Sequence, residues 1–177
     1  MIVMEDVFCF RAKREWQKLH FIYSIYENII VYLLYLSNWY LSQFSINGIQ
    51  FSSMEQYMMY KKAVCFKDDD IAKKILGSTD VARIKALGRL VRNYNDSYWS
   101  GIRQIVVYEG LLAKFKQNED LKRKLLGTGN NVLAECAVRD QIWGIGLSMK
   151  NPDRFEPENW NGQNLLGYAL MMVRESL

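Results

Sequence analysis

The sequence predicts a mainly helical domain with small β elements, and three observations carry that expectation. From Asp68 onward, apolar residues recur at three- and four-residue spacing in segments opened by Ser, Asp or Asn and often closed by Gly. The strand-like stretches are short and lack the regular alternation with helices that a parallel sheet requires. Finally, only two prolines occur among 177 residues, both late, and no Ser/Gly-rich linker divides the chain. Half of the residues are hydrophobic and 14% are aromatic, enough to bury the core of a single compact domain.

In order, Val7-Phe8-Cys9-Phe10 reads as a strand. Residues 11–19 have helical composition, and the continuation through Ile30 fits helix or buried strand equally. The apolar run 29–36 is too short to cross a bilayer, and the first ten residues lack a cationic start followed by an apolar core. A cytoplasmic protein without membrane association is the expectation. Ser37-Asn38-Trp39-Tyr40 reads as a turn, and residues 44–51 as a hairpin around Asn47-Gly48. A helix follows at once, with Ser52-x-x-Glu55 as its capping box. Asp68, Asp69 and Asp70 start a helix that Gly77 stops. The stretch Ser78-Thr79-Asp80 starts another, holding Val81, Ile84, Leu87 and Val91. Asp96 or Ser97 caps the longest helix, and Asn118 caps a short one ending at Gly127. Residues 132–138 are strand-like, Trp143-Gly144-Ile145-Gly146 forms a loop, and Asn161 opens a last helix.

The chemistry starts from Glu55 and Lys62. Seven residues apart on one helix, they share a face about 10 Å apart along the axis, with Met58, Met59 and Phe66 around them. The pair serves either as a cap and a solvated lysine or as a reactive lysine beside its proton carrier. His20 is the only histidine, so multi-histidine metal sites are excluded, and proton chemistry falls to carboxylates, lysine or tyrosine. Cys9, Cys65 and Cys136 are odd in number and widely spaced in apolar surroundings. They read as reduced core residues, and neither a disulfide framework nor a zinc site is expected. No metal and no cofactor are expected. The net charge of +4, with basic clusters at 11–18 and 114–124, allows nucleic-acid binding without pointing to it.

A series of short motifs extends this reading. Leu36-Ser37-Asn38-Trp39-Tyr40 is followed by Ser53-x-Glu55-x-Tyr57-Met58 with Lys62-Ala63, then by Leu87-Gly88-Arg89, Trp99 and Arg103. Lys114-Phe115-x-Gln117-Asn118, Leu125-Leu126-x-Thr128-Gly129, Asp140-x-x-Trp143-Gly144-x-Gly146 and Trp160-x-Gly162-x-Asn164-x-Leu166-Gly167 complete it. In this order the series resembles the NADAR (YbiA-like) domain over residues 36–177, leaving 1–35 as a divergent N-terminal segment packed on the domain. Gln56, Met59 and Val138 depart from the family, which more often has His, Gln and Pro there.

The resemblance implies an N-glycosidase with a short hairpin before its catalytic helix. Two substrate groups come with it: ADP-ribose on guanine, in nucleic acid or nucleosides, and the phosphoribosylamino-pyrimidine intermediates of riboflavin synthesis. It also implies a Schiff base on Lys62. An N-glycosidic bond breaks with positive charge on the ribose ring, which Glu55 and Asp140 can stabilise. A lysine nucleophile must be neutral, and an apolar surround favours that form. Trp99 and Trp143 are candidates to stack on the base, Arg89 and Arg103 to meet phosphate, and Asn38 and Asn164 to orient ribose hydroxyls. Each also has an ordinary structural role open to it. The alternative function is a catalytically silent module that binds ADP-ribose or a nucleotide. No obligate protein partner is evident.

Overall fold

The computed structural model describes Val7–Phe10 and residues 34–177. The expected helix over 11–19, the basic cluster at 11–18, His20 and residues 29–33 lie outside the described residues. In chain order the elements are β1 (Val7–Phe10), a 3-10 turn (Leu34–Leu36), β2 (Leu41–Ile46), β3 (Ile49–Ser53) and α1 (Met54–Cys65). There follow α2 (Asp69–Leu76), α3 (Val81–Arg89), α4 (Asp96–Gln117), α5 (Glu119–Leu126), β4 (Val132–Glu135), two 3-10 turns (Pro152–Phe155 and Pro157–Asn159) and α6 (Leu165–Glu175). The fold is mainly α with small β elements. Its described residues form two compact units, residues 41–119 and the described part of 1–40 with 120–177.

In the 41–119 unit, β2 and β3 form an antiparallel hairpin with Phe44 opposite Phe51. Asn47 and Gly48 take the positive φ that the tight turn demands, 53° and 79°. Phe44 and Phe51 are buried with ring centroids 5.7 Å apart, and Tyr57 of α1 meets both rings edge-on. This contact docks the hairpin on the first turns of α1. The cap of α1 falls one residue later than expected. Ser53, not Ser52, caps the helix, its Oγ accepting from the Gln56 N–H at 3.2 Å. The reciprocal partner is Gln56, whose Oε1 accepts from the Ser52 N–H at 2.7 Å. Its Nε2 donates to the carbonyls of Ile75 and Ser78, tying the end of α2 to the start of α1. Glu55 is thereby relieved of the capping role.

The junction after α1 is built from adjacent caps. The Asp68 N–H donates to Ala63 O at 2.9 Å and the Lys67 N–H to Val64 O at 3.0 Å, with Lys67 left-handed at φ 56°. This is the Schellman closure, usually made with glycine. Asp68 then caps α2 through the Ile71 N–H, and Asp80 caps α3. The cap of α4 is Asn95, one residue before the expected Asp96, and α3 ends at Arg89 before reaching Val91. Two glycines let helices close on α1: a Cβ on Gly88 would lie 2.0 Å from Met59 Sδ, and one on Gly110 would lie 2.5 Å from the Tyr57 ring. At the far end of α4, Gln117 bonds both backbone groups of Ser45, and Asn118 donates to Gln43 O. These bonds pair part of the free edge of β2.

In the other unit, β1 pairs in parallel with β4, Cys9 opposite Ala134. The strand ends at Glu135, short of Val138. The last helix starts at Leu165, four residues beyond the expected Asn161, with Asn164 as its first flanking residue. Asn164, left-handed at φ 52°, donates to Leu133 O at 2.8 Å and accepts from the Glu135 N–H at 3.1 Å. Gly167 follows close behind, where a Cβ would strike Leu133 O. Cys9 and Cys136 are buried and unbridged in a cluster with Ala134, Ile145 and Leu147. Among the described residues no helix is long and apolar enough to cross a membrane.

Candidate active site

Lys62 stands in the last turn of α1, half-buried, and its Nζ donates to the carbonyl of Gly88 at 2.9 Å. That carbonyl lies in the final turn of α3, where carbonyls have no intrahelical partner and the helix dipole is negative. The Lys62 Nζ also lies 4.0 Å from the centroid of the Tyr94 ring. Burial pushes the Lys62 amine below the usual lysine range. The charge of Asp96 opposes that effect, and the charge of Arg89 adds to it.

Two turns back along α1, Glu55 is buried at 2% exposure. Its place in the first turn aligns a carboxylate with the positive end of the helix. Met58 is buried and Met59 half-buried between Glu55 and Lys62. Phe66 continues the apolar surround, its ring edge-packed against Tyr94 at 5.3 Å and Tyr98 at 6.1 Å.

The segment between α3 and α4 completes this neighbourhood. Arg92 donates to Asp68 from its backbone N–H (2.8 Å), its Nε (3.2 Å) and its Nη2 (2.7 Å). These bonds hold the buried Asp68 carboxyl well below the usual carboxylate range. Two residues on, the Tyr94 hydroxyl donates to Asp96 Oδ1 at 2.6 Å. Burial and Asp96 together push the Tyr94 phenol up to about 12, against the charge of Arg103. Arg103 is itself buried in α4, and its Nε has no hydrogen-bond partner among the described residues. Trp99 is buried at 5% exposure, whereas Arg89 is exposed at the end of α3.

The other predicted residues belong to the second unit. Asp140 Oδ1 accepts from the N–H groups of Ile142 and Trp143, at 3.1 and 2.9 Å, and so shapes the loop that carries the half-buried Trp143. A Cβ on Gly144 would lie 2.7 Å from Glu135 O, so this loop closes tightly on the end of β4. Asn164 is fully buried, with its amide bonded to β4 on both sides. Asn38 is buried, and its Oδ1 lacks a hydrogen-bond partner among the described residues.

The structure thus places Glu55, Lys62, Arg89, Trp99 and Arg103 in the 41–119 unit, and Asn38, Asp140, Trp143 and Asn164 in the other. Arg89 acts on Lys62, and Arg103 acts on Tyr94. Sequence reasoning missed Tyr94, Asp96 and the clamp of Asp68 on Arg92. Tyr94 lies 32 positions from Lys62 in a polar loop, and no local pattern marks the pairing. Among the described residues no group of three or more His, Cys, Asp or Glu could hold a metal ion.

Comparison with known proteins bears on what this arrangement does. The family described as NADAR domain matches residues 31–177. An N-glycosidase of Acanthamoeba polyphaga mimivirus is 42% identical over 144 residues, covering 78% of this chain and 85% of that protein. A riboflavin biosynthesis protein of Vibrio vulnificus is 32% identical over 143 residues, 81% of this chain but only 35% of the relative. Among solved structures, the NMR structure of the E. coli protein YbiA superposes with a TM-score of 0.70 over 99% of this chain and 86% of that one. At 23% sequence identity, the likeness is one of fold.

Proposed function

The chain belongs to the NADAR domain family and is a hydrolase acting on N-glycosyl bonds; from that premise we propose that it releases ADP-ribose from ADP-ribosylated guanine, through an imine on Lys62. The observation that carries this reading is the state of Lys62. It is a half-buried amine whose proton affinity is lowered by burial, and it is aimed by a backbone carbonyl and an aromatic face. A solvated surface lysine has no such fixation.

The neutral Lys62 amine gives its lone pair to the anomeric carbon as the bond from that carbon to the base nitrogen breaks. The base leaves with the bonding pair and takes up a proton. Loss of a proton from the new C–N linkage lets the ribose ring open. Its ring oxygen leaves carbon and is protonated, and an imine joins Lys62 to the sugar. Water adds to the imine carbon and returns the free amine and the ribose. The net reaction consumes one water. Glu55 supplies a buried negative charge for the cationic sugar and carries the proton, and Asp140 is the second carboxylate in this reading. Arg89 and Arg103 take the phosphates, Trp99 and Trp143 contact the base, and Asn38 meets the ribose, whereas Asn164, its amide bonded to β4, braces only the start of α6. Residues 36–177 carry the activity, and residues 1–35 add a divergent segment. A nucleic acid that carries the modified guanine is an allowed substrate.

The name of the Vibrio vulnificus relative supports a second substrate, a phosphoribosylamino-pyrimidine. One experiment separates the two. Purified protein is incubated with ADP-ribosylated guanosine and, separately, with the phosphoribosylamino-pyrimidine, each with and without borohydride. Free guanosine and a reduced sugar adduct on Lys62 are expected. Release without an adduct overturns the imine. Release from the pyrimidine alone transfers the activity to the second substrate, and no release from either returns the silent binding module.

A further inference from the structure

Tyr94 is an exposed aromatic, 41% accessible, yet it is fixed from several directions. Its hydroxyl bonds Asp96, its ring packs edge-on against buried Phe66, and the Lys62 Nζ lies against its face. Just before it, Arg92 is clamped to Asp68 by backbone and side chain, Asn93 is left-handed at φ 55°, and just after it Asn95 caps α4. A loop tyrosine with no task beyond covering Phe66 needs neither the Asp96 bond nor an amine on its ring. The same amine is held by the Gly88 carbonyl. Among the described residues, the charged groups that act on Lys62 are Asp96 from α4 and Arg89 from α3.

Resting on the reading of Lys62 as the nucleophile, we propose that Tyr94 is the positioning residue of the reaction: its ring, packed on Phe66, holds the Lys62 amine beside the Gly88 carbonyl and retains its proton until substrate is bound. Both holders favour the ammonium, the carbonyl by a hydrogen bond and the ring by its negative face. Together they offset part of the burial that favours the neutral amine. A substrate that displaces the Tyr94 ring from the amine removes one of them. The amine is then released at the point of attack.

The test follows the Lys62 titration by NMR in lysine-labelled full-length protein, with the signal assigned through Lys62→Arg, and compares wild type with Tyr94→Phe and Tyr94→Leu. Thermal melts check that each variant is folded; the exposure of Tyr94 makes both tolerable. Loss of the ring in the Leu variant is expected to lower the Lys62 midpoint by about half a pH unit. The Phe variant, which keeps a ring face, is expected to stay within about 0.2 of wild type. The acid limb of kcat/KM for the released base moves with the midpoint, and the plateau falls about tenfold in the Leu variant as the amine loses its aim. An unmoved midpoint in the Leu variant overturns the inference. An equal displacement in the Phe variant overturns it too, since the effect then belongs to the hydroxyl and Asp96. Wild type without turnover, or Lys62→Ala with full turnover, defeats the functional reading, while the NMR titration still decides what Tyr94 does.

Discussion

Lys62 is held at its amine by both a helix-end carbonyl and an aromatic ring, so small changes at either contact reach the proposed nucleophile. Gly88 is the most sensitive of these positions. With no Cβ it lets α3 approach Met59 and brings its carbonyl to Lys62, whereas Gly88→Ala puts a methyl 2.0 Å from the Met59 sulfur. That variant is expected to lose about 1–3 kcal/mol in chemical denaturation, and most of its turnover as the carbonyl moves away. Glu55 lends itself to a conservative test. Glu55→Gln preserves the shape of a buried side chain that does not serve the Ser53 cap, so the fold survives while turnover drops about 10²–10⁴-fold. Steady-state kinetics and a melt on the same preparation check both halves, and full turnover would remove Glu55 from the mechanism. Gln56 is also instructive. Where the family resemblance leads one to expect histidine, its amide satisfies Ser52 and the end of α2 together, a structural task that an amide performs without titrating.

At the scale of elements, the short connection from α1 to α2 carries more than its length suggests. Lys67 pays the left-handed penalty at the Schellman position, and Lys67→Gly is expected to raise stability by roughly 0.5–1 kcal/mol, read as a higher Tm. Asp68, next in line, caps α2 and clamps Arg92, thereby holding the segment that presents Tyr94. Its carboxyl is more acidic in the folded chain than in the unfolded one. The stabilisation is therefore fully present above the unfolded value of about 4 and is lost as pH falls through the folded value. Asp68→Asn is expected to melt below wild type at pH 7, with the gap narrowing as pH drops below about 4. A pH-independent gap would show that the carboxylate charge is not what stabilises this junction. The variant also tests whether loosening the Tyr94 segment lowers turnover without any change at Lys62.

For the whole molecule, the functional reading predicts ligand linkage. ADP-ribose, the sugar product of the proposed reaction, is expected to raise the Tm of wild type in a concentration-dependent way, by about 2.7 kcal/mol of added stability at a hundredfold excess over its Kd. Lys62→Ala should keep much of that protection while losing turnover. No protection at any concentration of ADP-ribose or of a phosphoribosyl nucleotide would argue against a ribosyl site.

Much of this was written locally. The Asn47-Gly48 turn, the aspartate caps of α2 and α3, the phase of α4 and the placement of Glu55 and Lys62 at the two ends of α1 all follow from neighbours within a few residues, where backbone sterics and side-chain reach decide. The ordered motifs from Leu36 to Gly167 added the family, and with it the reaction class. Cap positions of α1 and α4 shifted by one because Ser52 and Ser53, or Asn95 and Asp96, are chemically equivalent until the incoming chain direction is set. The hairpin docked on Tyr57 sets that direction for α1. Asn161 and Asn164 are likewise both competent to open α6, and the bonds of Asn164 to β4 select the later one. Only tertiary structure could pair Cys9 with Ala134, set Gly88 against Met59, or bring Tyr94 and Asp96 to the Lys62 amine. Those contacts join segments far apart in sequence, and their energy depends on burial and distance, which residue order does not encode locally. The sequence by itself determined which groups are available for the chemistry. The packing of α3 and the following loop on α1 decided how the lysine among them is held.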